Sequence, residues 1–195
     1  EATGRVINMK EYKLTDWLPT TKKEMDIVNT SAREVRNDKR LLLGDSFNDV
    51  LGAGDLVEID TVHYVDKITG KRRYIITVID LYTRMSYAEC HDKLLPVYAT
   101  KTILHAEMKF GFKFKTVQSD NGPEFSRTFT ISLERRGITH RHTRIHHPND
   151  NAHIERFNRT LQEECTGNYY LESESLKAMD DKILSYIDFY NYHRI

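Results

Sequence analysis

Apolar and polar positions alternate through the second quarter of the chain in the way that predicts β-strands. The run from Leu56 to Tyr64 has the period of two expected of a half-buried strand. The next run, Arg73 to Asp80, is mostly β-branched and fits a central strand, and a third run covers Met85 to His91. Short turn segments at residues 66–71 and 81–84 separate the runs, so we expect three antiparallel strands.

After these strands the apolar spacing changes to the three- and four-residue steps of helices, interrupted by short strands. The last two helices have the clearest pattern. One contains Ile154, Phe157, Leu161 and Cys165 on a single face, and the other extends from Ser175 to Arg194. The full predicted order is a helix at Pro96–Phe110, a strand that ends before Asp120, a helix from Glu124 to Arg135, a strand around Ile138 and these two helices. This order is that of an α/β fold.

Residues 1–53 differ in character from the rest of the chain. Thr21 and Glu24 have the spacing of a capping box, and helical apolar spacing follows them, so a helix is predicted at residues 22–36. A second short helix is predicted within residues 39–50. We therefore divide the chain into a helical N-terminal extension or linker, 1–53, and a main domain, 54–195. The extension is either the tail of an upstream DNA-binding or dimer-forming module or, as we favour, an amphipathic helix packed on the main domain or on its neighbour.

The composition fits a globular protein. With 195 residues, 39% hydrophobic and 30% charged, the chain is long enough for one domain with a proper core and an appendage. The formal net charge is zero, whereas proteins that bind nucleic acid strongly are usually basic. The charge is unevenly distributed, however, because residues 109–159 hold ten Lys and Arg against five Asp and Glu. We therefore expect a basic surface on an otherwise neutral protein.

Only two cysteines occur, Cys90 and Cys165, and they form no Cys-x-x-Cys pair. This argues against a disulfide scaffold and a zinc finger, and it favours a reducing compartment: cytoplasmic and nucleoid-associated in a bacterium, or nuclear in a eukaryote. No apolar run approaches the roughly 18–20 residues that span a membrane. No signal-peptide pattern opens the chain, so no membrane partner is expected. The chain begins at Glu1 without methionine, as a fragment would.

Three carboxylates stand at positions that favour chemistry. Asp60 lies inside the first predicted strand, where an acid is costly unless it is solvated, paired or bound to a cation. Asp120 follows a strand directly, at the start of an Asx turn into Asn121-Gly122. Glu155 lies on the polar face of its helix. Two-metal phosphoryl-transfer enzymes need such acids from separate elements, converging on two hard cations about 3.5–4 Å apart.

These acids and the residues around them resemble a known pattern. Asp60 in EIDTVHY, Asp120 in SDNGPEF and Glu155 in NAHIERFNRTL are similar to the three acids of the Asp-Asp-Glu superfamily of retroviral integrases and bacterial insertion-sequence transposases. The second and third acids are separated by 34 residues, 121–154, close to the interval in that superfamily. Near the end of the chain, Tyr190-Asn191-x-x-Arg194 resembles the Tyr-Asn-x-x-Arg signature of the transposase core.

The resemblance implies a ribonuclease-H-like fold, with a mixed five-stranded sheet flanked by helices and the Asp60 and Asp120 strands side by side. It implies a Mg²⁺-dependent polynucleotidyl transferase and endonuclease with two Mg²⁺ or Mn²⁺ ions as cofactors. Asp60 would bridge the ions, Asp120 would hold one and Glu155 the other. The implied reaction is cleavage of a DNA 3′-end at the end of a mobile element, followed by strand transfer into target DNA. A homodimer or higher oligomer would carry it out.

The basic segment supplies residues for contacts with DNA. The candidates are Lys109, Arg141, Arg144, His147, Asn151, Arg156 and Arg159. Four histidines, at positions 140, 142, 146 and 147, also fit a transition-metal site. Phosphate contact is favoured instead, because no cysteine joins them, and such histidines would strengthen DNA binding as the pH falls through their pKa. Residues 143–150 resemble the mobile integrase segment that precedes the catalytic glutamate and contacts the DNA end.

Other positions refine the interpretation. Asp80-Leu81-Tyr82-Thr83-Arg84 resembles a hairpin device of the family, in which the aspartate caps turn amides and pairs with the arginine rather than binding metal. Glu58 is interpreted as a solvated or paired strand acid. Ala152 stands where the family commonly has glycine, which should leave the fold intact but affect loop geometry. Two alternatives stay open: a ribonuclease-H-like nuclease without joining activity, and a domesticated, non-catalytic DNA-binding module.

Overall fold

The computed structural model describes residues 50, 52–65, 69–144, 148–167 and 175–194. The helix predicted at residues 22–36 lies outside these ranges, as does all but Val50 of the helix predicted within residues 39–50. Within the described ranges, no helix is both long enough and apolar enough to cross a lipid bilayer.

Five strands form one mixed sheet in the order β3-β2-β1-β4-β5. The strands are β1 (Val57–Val65), β2 (Arg72–Asp80), β3 (Ser86–His91), β4 (Thr116–Ser119) and β5 (Thr139–His142). The first three pair antiparallel, as their alternating pattern predicted. β4 pairs parallel with β1, and β5 pairs parallel with β4. This mixed five-stranded sheet confirms the predicted α/β class.

In the described part of the chain, four α-helices accompany the sheet. They are α1 (Pro96–Phe110), α2 (Arg127–Glu134), α3 (Ala152–Leu161) and α4 (Leu176–Tyr192). α1 has the predicted bounds because Pro96 can open a helix and Gly111, with a φ of 77°, closes it. α4 is capped by Ser175, whose hydroxyl accepts a hydrogen bond from Ala178 N at 3.1 Å.

Short 3₁₀ turns precede two of the helices. The helix expected from Glu124 is divided into a 3₁₀ turn, Pro123–Phe125, and α2, because Ser126 between them has an extended backbone with φ −63° and ψ 178°. Another 3₁₀ turn, Pro148–Asn151, precedes α3, which then begins at an alanine without needing glycine. α3 continues into a π-helical turn, Gln162–Thr166.

α3 lies along β1, and two hydrogen bonds join them at matching intervals. Ile154 N donates to Glu58 Oε2 at 2.7 Å, and Asn158 Nδ2 donates to Asp60 Oδ2 at 2.8 Å. Four residues of an α-helix rise about 6 Å, close to the roughly 6.6 Å spanned by two residues of a strand. The spacing of these residues along α3 therefore matches the spacing of their partners along β1. This match places Glu155 in the part of α3 that lies against Glu58 and Asp60.

The core is formed where the helices cover the central strands. Ile59 of β1 and Ile76 of β2 are fully buried. Ile154, Phe157 and Leu161, which the helical spacing predicted to face the core, are each 1% exposed or less. Burial of these side chains supplies the hydrophobic free energy that fixes α3, and with it Glu155, against the sheet.

Candidate active site

The three predicted acids lie in one region of the sheet, on three separate elements. Asp60 is in β1, Asp120 follows the end of β4, and Glu155 is in the first turn of α3. β1 and β4 are parallel neighbours, with Glu58 opposite Gln118. Continuing that register by two residues brings Asp60 level with Asp120, on strands that lie about 4.8 Å apart. Asp60 and Asp120 are half-buried, whereas Glu155 is exposed.

Burial and the charges of neighbouring acids raise the pKa of Asp60. Burial raises the pKa of Asp60 to about 6, against a smaller opposing effect of a hydrogen bond from the backbone of Thr61. The remaining contributions raise the pKa of Asp60 and come from three carboxylates: Asp120, Glu124 and Glu155. Asp120, Glu124 and Glu155 are thus near enough for their charges to act on Asp60.

A fourth acid, Glu124, stands against Asp120. Gly122 N donates to Asp120 Oδ1 at 2.8 Å, which is the predicted Asx turn. A Cβ on Gly122 would lie 2.6 Å from Glu124 Oε2 and 3.0 Å from Asp120 Oδ1, so these oxygens are at most 5.6 Å apart, the sum of the two distances. Glu124 is 3% exposed, and its buried Oε2 accepts no hydrogen bond from the described residues.

Two further acids, Asp80 and Glu58, accept hydrogen bonds that fix the backbone near the site. Asp80 is fully buried: its Oδ2 accepts hydrogen bonds from Thr83 N and Thr83 Oγ1, both at 2.7 Å, and its Oδ1 accepts one from Gly54 N at 2.9 Å. The predicted turn-capping role of Asp80 is therefore confirmed, although the side chain of Arg84 lines a cavity instead of pairing with it. Glu58 is fully buried rather than solvated, and burial raises its pKa to about 7. Its carboxyl group anchors the first turn of α3.

The acids do not stand at the separations of metal ligands. In the residues that the structure describes, no three His, Cys, Asp or Glu side chains come close enough together to hold a metal ion. Carboxylates repel one another when no cation lies between them, and here Asp60 and Asp120 each have a separate hydrogen-bond donor, Asn158 and Gly122. The backbone thus brings the three predicted acids to one region without bringing their oxygens together.

Two of the predicted DNA-binding arginines, Arg141 and Arg144, form hydrogen bonds with other side chains of the protein. Arg144 forms a two-bond fork with Asp150, Nε to Oδ2 at 3.0 Å and Nη2 to Oδ1 at 2.9 Å, and Arg144 N adds a bond to Oδ2 at 3.1 Å. Arg141 Nε donates to Gln118 Oε1 at 2.9 Å. Gln118 Nε2 in turn donates to Asp150 O and, at 3.4 Å, to Asn151 Oδ1. These bonds fasten both ends of the segment between β5 and α3 to β4.

The other predicted DNA contacts have different positions. Arg156 and Arg159 are exposed on α3, the helix that carries the third acid. Lys109 lies in the last turn of α1, before β4 begins, whereas the acids lie toward the end of β4. Lys109 forms an ion pair with Asp188 of α4, so the structure does not bring it to the acids. His147 lies outside the described residues.

The expectation of a phosphate contact is wrong for His140. Its residue is 8% exposed and both ring nitrogens are engaged, Nε2 with Ser119 Oγ at 2.9 Å and Nδ1 with Thr130 Oγ1 at 2.8 Å. Burial, with a smaller effect of the charge on His142, lowers the pKa of His140 to about 3. His140 is therefore a neutral structural residue. His142 is half-buried and donates from Nδ1 to Asp120 O at 2.7 Å, which supports the backbone of the second acid.

A cavity of about 300 Å³ opens on the flank of α3. Its walls include Arg84, His153, Arg156, Phe157, Tyr190 and Arg194. The rings of Phe157 and Tyr190 meet edge to face with centroids 5.0 Å apart, and the guanidinium of Arg194 lies 5.5 Å from the Tyr190 centroid. Burial lowers the pKa of His153, and the charges of Arg84 and Arg156 lower it further. Arg84 and Arg156 therefore place positive charge near His153.

Sequence patterns did not single out Glu124 or Asn158. Glu124 was assigned to the start of a helix, whereas it lies in a separate 3₁₀ turn that folds back over Gly122. Its position four residues after Asp120, across a Gly-Pro turn, is the signal that could have found it. Asn158 is three residues after Glu155, a spacing that places both on one side of a helix.

The sequence matches two profiles of integrases. Residues 51–148 match the family described as Integrase core domain, and residues 136–195 match a second profile with the same description. The first match alone covers just over half of the 195 residues.

Two relatives are similar in sequence. The chain is 27% identical over 161 residues to the ORF3 protein of Spiroplasma virus SpV1-C74, named as an integrase, in an alignment that covers 72% of this chain and 43% of that protein. It is 32% identical over 132 residues to an uncharacterized protein of insertion element IS476 from Xanthomonas euvesicatoria, covering 66% of this chain and 37% of that protein. The chain thus spans less than half the length of either relative.

Solved structures share the fold. The catalytic core domain of HTLV-2 integrase, solved with magnesium in a dimeric form, has a TM-score of 0.57 and 19% identity, over 74% of this chain and 90% of that one. A chain of the simian T-cell lymphotropic virus intasome, solved with PP2A regulatory subunit B56 gamma, has a TM-score of 0.63 and 18% identity. This match covers 90% of the present chain and 62% of the intasome chain. These similarities confirm the predicted ribonuclease-H-like fold.

With both sequence profiles matched and this sheet in place, the chain belongs to the Integrase core domain family, the catalytic cores of integrases and transposases.

Proposed function

We propose that this domain is the catalytic core of a DNA transposase or integrase, which cleaves the 3′-end of a mobile element and transfers that end into target DNA. The observation that supports this most directly is the group of Asp60, Asp120 and Glu155. The three acids come from a strand, a strand end and a helix, and the charges of the latter two raise the pKa of Asp60. Acids that share a region in this way are typical of sites that bind divalent cations.

The residues fit magnesium or manganese, for which two ions are proposed. Carboxylate oxygens are the hard ligands that these cations prefer, and the buried Oε2 of Glu124 accepts no hydrogen bond from the described residues. Asp60, Asp120 and Glu155 would hold the ions. Bound there, the metal supplies Lewis acidity toward the attacking hydroxyl and the leaving oxygen. The magnesium bound in the HTLV-2 integrase core supports this choice of cofactor.

The protein's own groups orient the acids and the DNA. Asn158 holds Asp60, and Gly122 N holds Asp120. Basic side chains would neutralise DNA phosphates, which gives most of the non-specific affinity of such proteins. The proposed contacts are Arg141, Arg144, Arg156 and Arg159, with His147 and the neutral amide of Asn151 as further polar contacts. A homodimer or higher oligomer is proposed because the HTLV-2 core is described in a dimeric form and the simian virus chain belongs to an intasome.

The function is tested by DNA joining. The purified protein is incubated with Mg²⁺ or Mn²⁺, supercoiled plasmid, and a 5′-labelled duplex whose 3′-hydroxyl end is taken from the DNA that flanks the coding sequence. We expect covalent transfer of the label to the plasmid. Cleavage without joining would instead indicate a ribonuclease-H-like nuclease, and DNA binding with neither reaction would indicate a non-catalytic module.

Two variants show whether any joining comes from the proposed site. Asp60→Asn should abolish both reactions and leave the circular dichroism spectrum unchanged, because the amide keeps the shape of the side chain but not its charge. Glu134→Gln, which changes an exposed acid on α2, should be as active as the wild type. Activity retained by Asp60→Asn would refute the assignment of the first acid.

A further inference from the structure

Glu124 is a buried carboxylate that its protein neighbours do not explain. It is 3% exposed, and its Oε2 is buried and accepts no hydrogen bond from the described residues. Burying an ionised carboxylate without a partner is unfavourable, so such groups in native proteins usually serve a function. The 3₁₀ turn Pro123–Phe125 holds the side chain in this position, folded back over Gly122.

The carboxylate of Glu124 lies near Asp120. Glu124 Oε2 and Asp120 Oδ1 are at most 5.6 Å apart, from their distances of 2.6 and 3.0 Å to a Cβ built on Gly122. Mg²⁺ binds carboxylate oxygens at about 2.1 Å. A single ion held by Asp120 can therefore contact Glu124 either directly or through one of its water ligands.

On the basis of the proposed function, we infer that Glu124 is a fourth carboxylate of the metal site and supplies charge on its Asp120 side. Glu58, which is also buried, differs because its Oε2 already accepts the hydrogen bond from Ile154 N at 2.7 Å. Glu58 Oε1 is also buried without a hydrogen bond from the described residues, but the other oxygen of Glu58 serves the packing of α3, whereas Glu124 Oε2 lies beside Gly122 and near Asp120.

Calorimetric titration with Mn²⁺ and thermal melting test the role of Glu124. Glu124→Gln should weaken Mn²⁺ binding by tenfold or more, and it should melt at a higher temperature than the wild type in EDTA because a buried charge is removed. Glu134→Gln should change neither quantity. Wild-type Mn²⁺ affinity in Glu124→Gln, or a loss of stability in EDTA, would overturn the inference while leaving the proposed function in place. Failure of the wild type itself to bind Mn²⁺ would overturn both.

A different observation concerns the cavity on the flank of α3, where two separate sequence motifs meet. Arg84 ends the Asp80-to-Arg84 hairpin motif, and Arg194 ends the Tyr190-to-Arg194 motif. Asn191 joins them: its Oδ1 accepts from Ser86 N at 2.8 Å and its Nδ2 donates to Ser86 O at 2.9 Å. The second motif thus holds the end of α4 against the start of β3, next to the hairpin.

The backbone of Arg84 is held in an unfavourable conformation. Its φ of 63° is the one positive value among the non-glycine residues that the structure describes. An L-residue avoids this region because its Cβ crowds the carbonyl oxygen, and such strain persists mainly where function requires it. Here the conformation accompanies a guanidinium that lines the cavity together with Arg156 and Arg194.

We propose that this cavity binds a phosphate group of the DNA that the domain acts on, an inference that also depends on the proposed function. Guanidinium groups bind phosphate oxygens through paired N–H donors, and three arginines line this cavity of about 300 Å³. Arg194 is already oriented by Glu164, with Nη2 to Oε1 at 2.8 Å, and by the Tyr190 ring.

Fluorescence anisotropy with a labelled duplex in EDTA, over a series of salt concentrations, tests this site. Arg84→Gly relieves the backbone strain and removes the guanidinium, so it should keep the fold, weaken binding and reduce the slope of log K against log salt by about one. Arg84→Lys keeps the charge and should retain most of the affinity. Arg72→Ala, an exposed arginine at the opposite end of β2, is the control and should bind as the wild type does.

The outcomes separate the possible ligands. An unchanged salt slope in Arg84→Gly, in a protein that binds DNA, would overturn the phosphate site and leave the proposed function standing. If the variant loses only the thermal stabilisation given by inorganic phosphate, and binds DNA normally, the cavity takes a free anion and the DNA contact is refuted. No DNA binding by the wild type would refute the proposed function itself.

Discussion

Asn158 donates a hydrogen bond from its side-chain amide to Asp60 Oδ2 at 2.8 Å and thereby links α3 to β1. Asn158 is 7% exposed and lies three residues after Glu155 on the same helix. An amide adds no negative charge beside Asp60, whose pKa is already raised to about 6 by burial and neighbouring acids. Asn158 can therefore hold the first acid in place without opposing its ionisation.

Replacing Asn158 should separate the effect of its hydrogen bond to Asp60 from the effect of its neutral charge. Asn158→Ala should lower the free energy of unfolding by about 1 kcal/mol, the usual contribution of one hydrogen bond. Asn158→Asp should lower it further, because a second carboxylate would face Asp60, and Mn²⁺ should restore much of that loss. Urea unfolding with and without Mn²⁺ measures both quantities. Equal stability of Asn158→Asp and the wild type without metal would contradict this account.

A methyl group on Gly122 should disturb the acids without disturbing the fold. The backbone at Gly122, with φ −60° and ψ 151°, suits alanine, but the added Cβ would lie 2.6 Å from Glu124 Oε2. Gly122→Ala should therefore displace Glu124 or Asp120 and weaken Mn²⁺ binding by about tenfold, or ~1.4 kcal/mol. Gly52→Ala is the control, because its Cβ would be 3.7 Å from the nearest atom, Asp55 Oδ2. Calorimetry that finds equal Mn²⁺ affinities in the two variants would exclude this effect.

The fork between Arg144 and Asp150 should contribute more to stability than an exposed ion pair. Asp150 is 4% exposed, so Arg144→Ala would leave a buried carboxylate without its guanidinium, at a cost of about 3 kcal/mol. Adding Asp150→Asn should recover part of that loss. Arg144→Lys keeps the charge but not the two-bond geometry, and should be intermediate. A double-mutant cycle by urea unfolding measures the coupling, and additive single-variant effects would show that the fork contributes nothing.

His140 should make the protein less stable as the pH falls. Its pKa is lowered to about 3 in the fold from the ordinary 6.5, so the unfolded chain takes up a proton first. The contribution of neutral His140 is thus present above pH 6.5 and is lost progressively as the pH falls toward 3. Between pH 7 and pH 5 the wild type should lose roughly 2 kcal/mol more than His140→Gln. Chemical unfolding at both pH values checks this, and parallel losses in the two proteins would contradict it.

The same residue shows where sequence reasoning fails. In the sequence, His140 and His142 are two equivalent histidines of a basic strand. In the structure, α2 covers one side of β5, so that Thr130 and Phe129 enclose His140, whereas His142 stays half-buried. Alternation along a strand tells which residues share a face, but it does not tell what packs on that face.

Glu124 shows the same limit for the candidate site. Its proximity to Asp120 depends on an extended Ser126 that separates the 3₁₀ turn from α2, and helix boundaries of this kind are poorly specified by local pattern. Lys109 was expected at the DNA because of the charge of its segment, yet tertiary packing pairs it with Asp188, 79 residues further along the chain. Charge counts along a sequence do not report such long-range partners.

The sequence by itself determined the strands and most helices and singled out the three candidate acids, because periodicity and local motifs are encoded within a few residues of each position. The tertiary structure alone decided which groups surround those acids: Glu124 and Asn158 beside Asp120 and Asp60, and three arginines at one cavity. Those neighbours arise from the parallel pairing of β1 with β4 and from the packing of α3 along β1. Contacts between residues so distant in the chain are fixed only when the whole core is assembled.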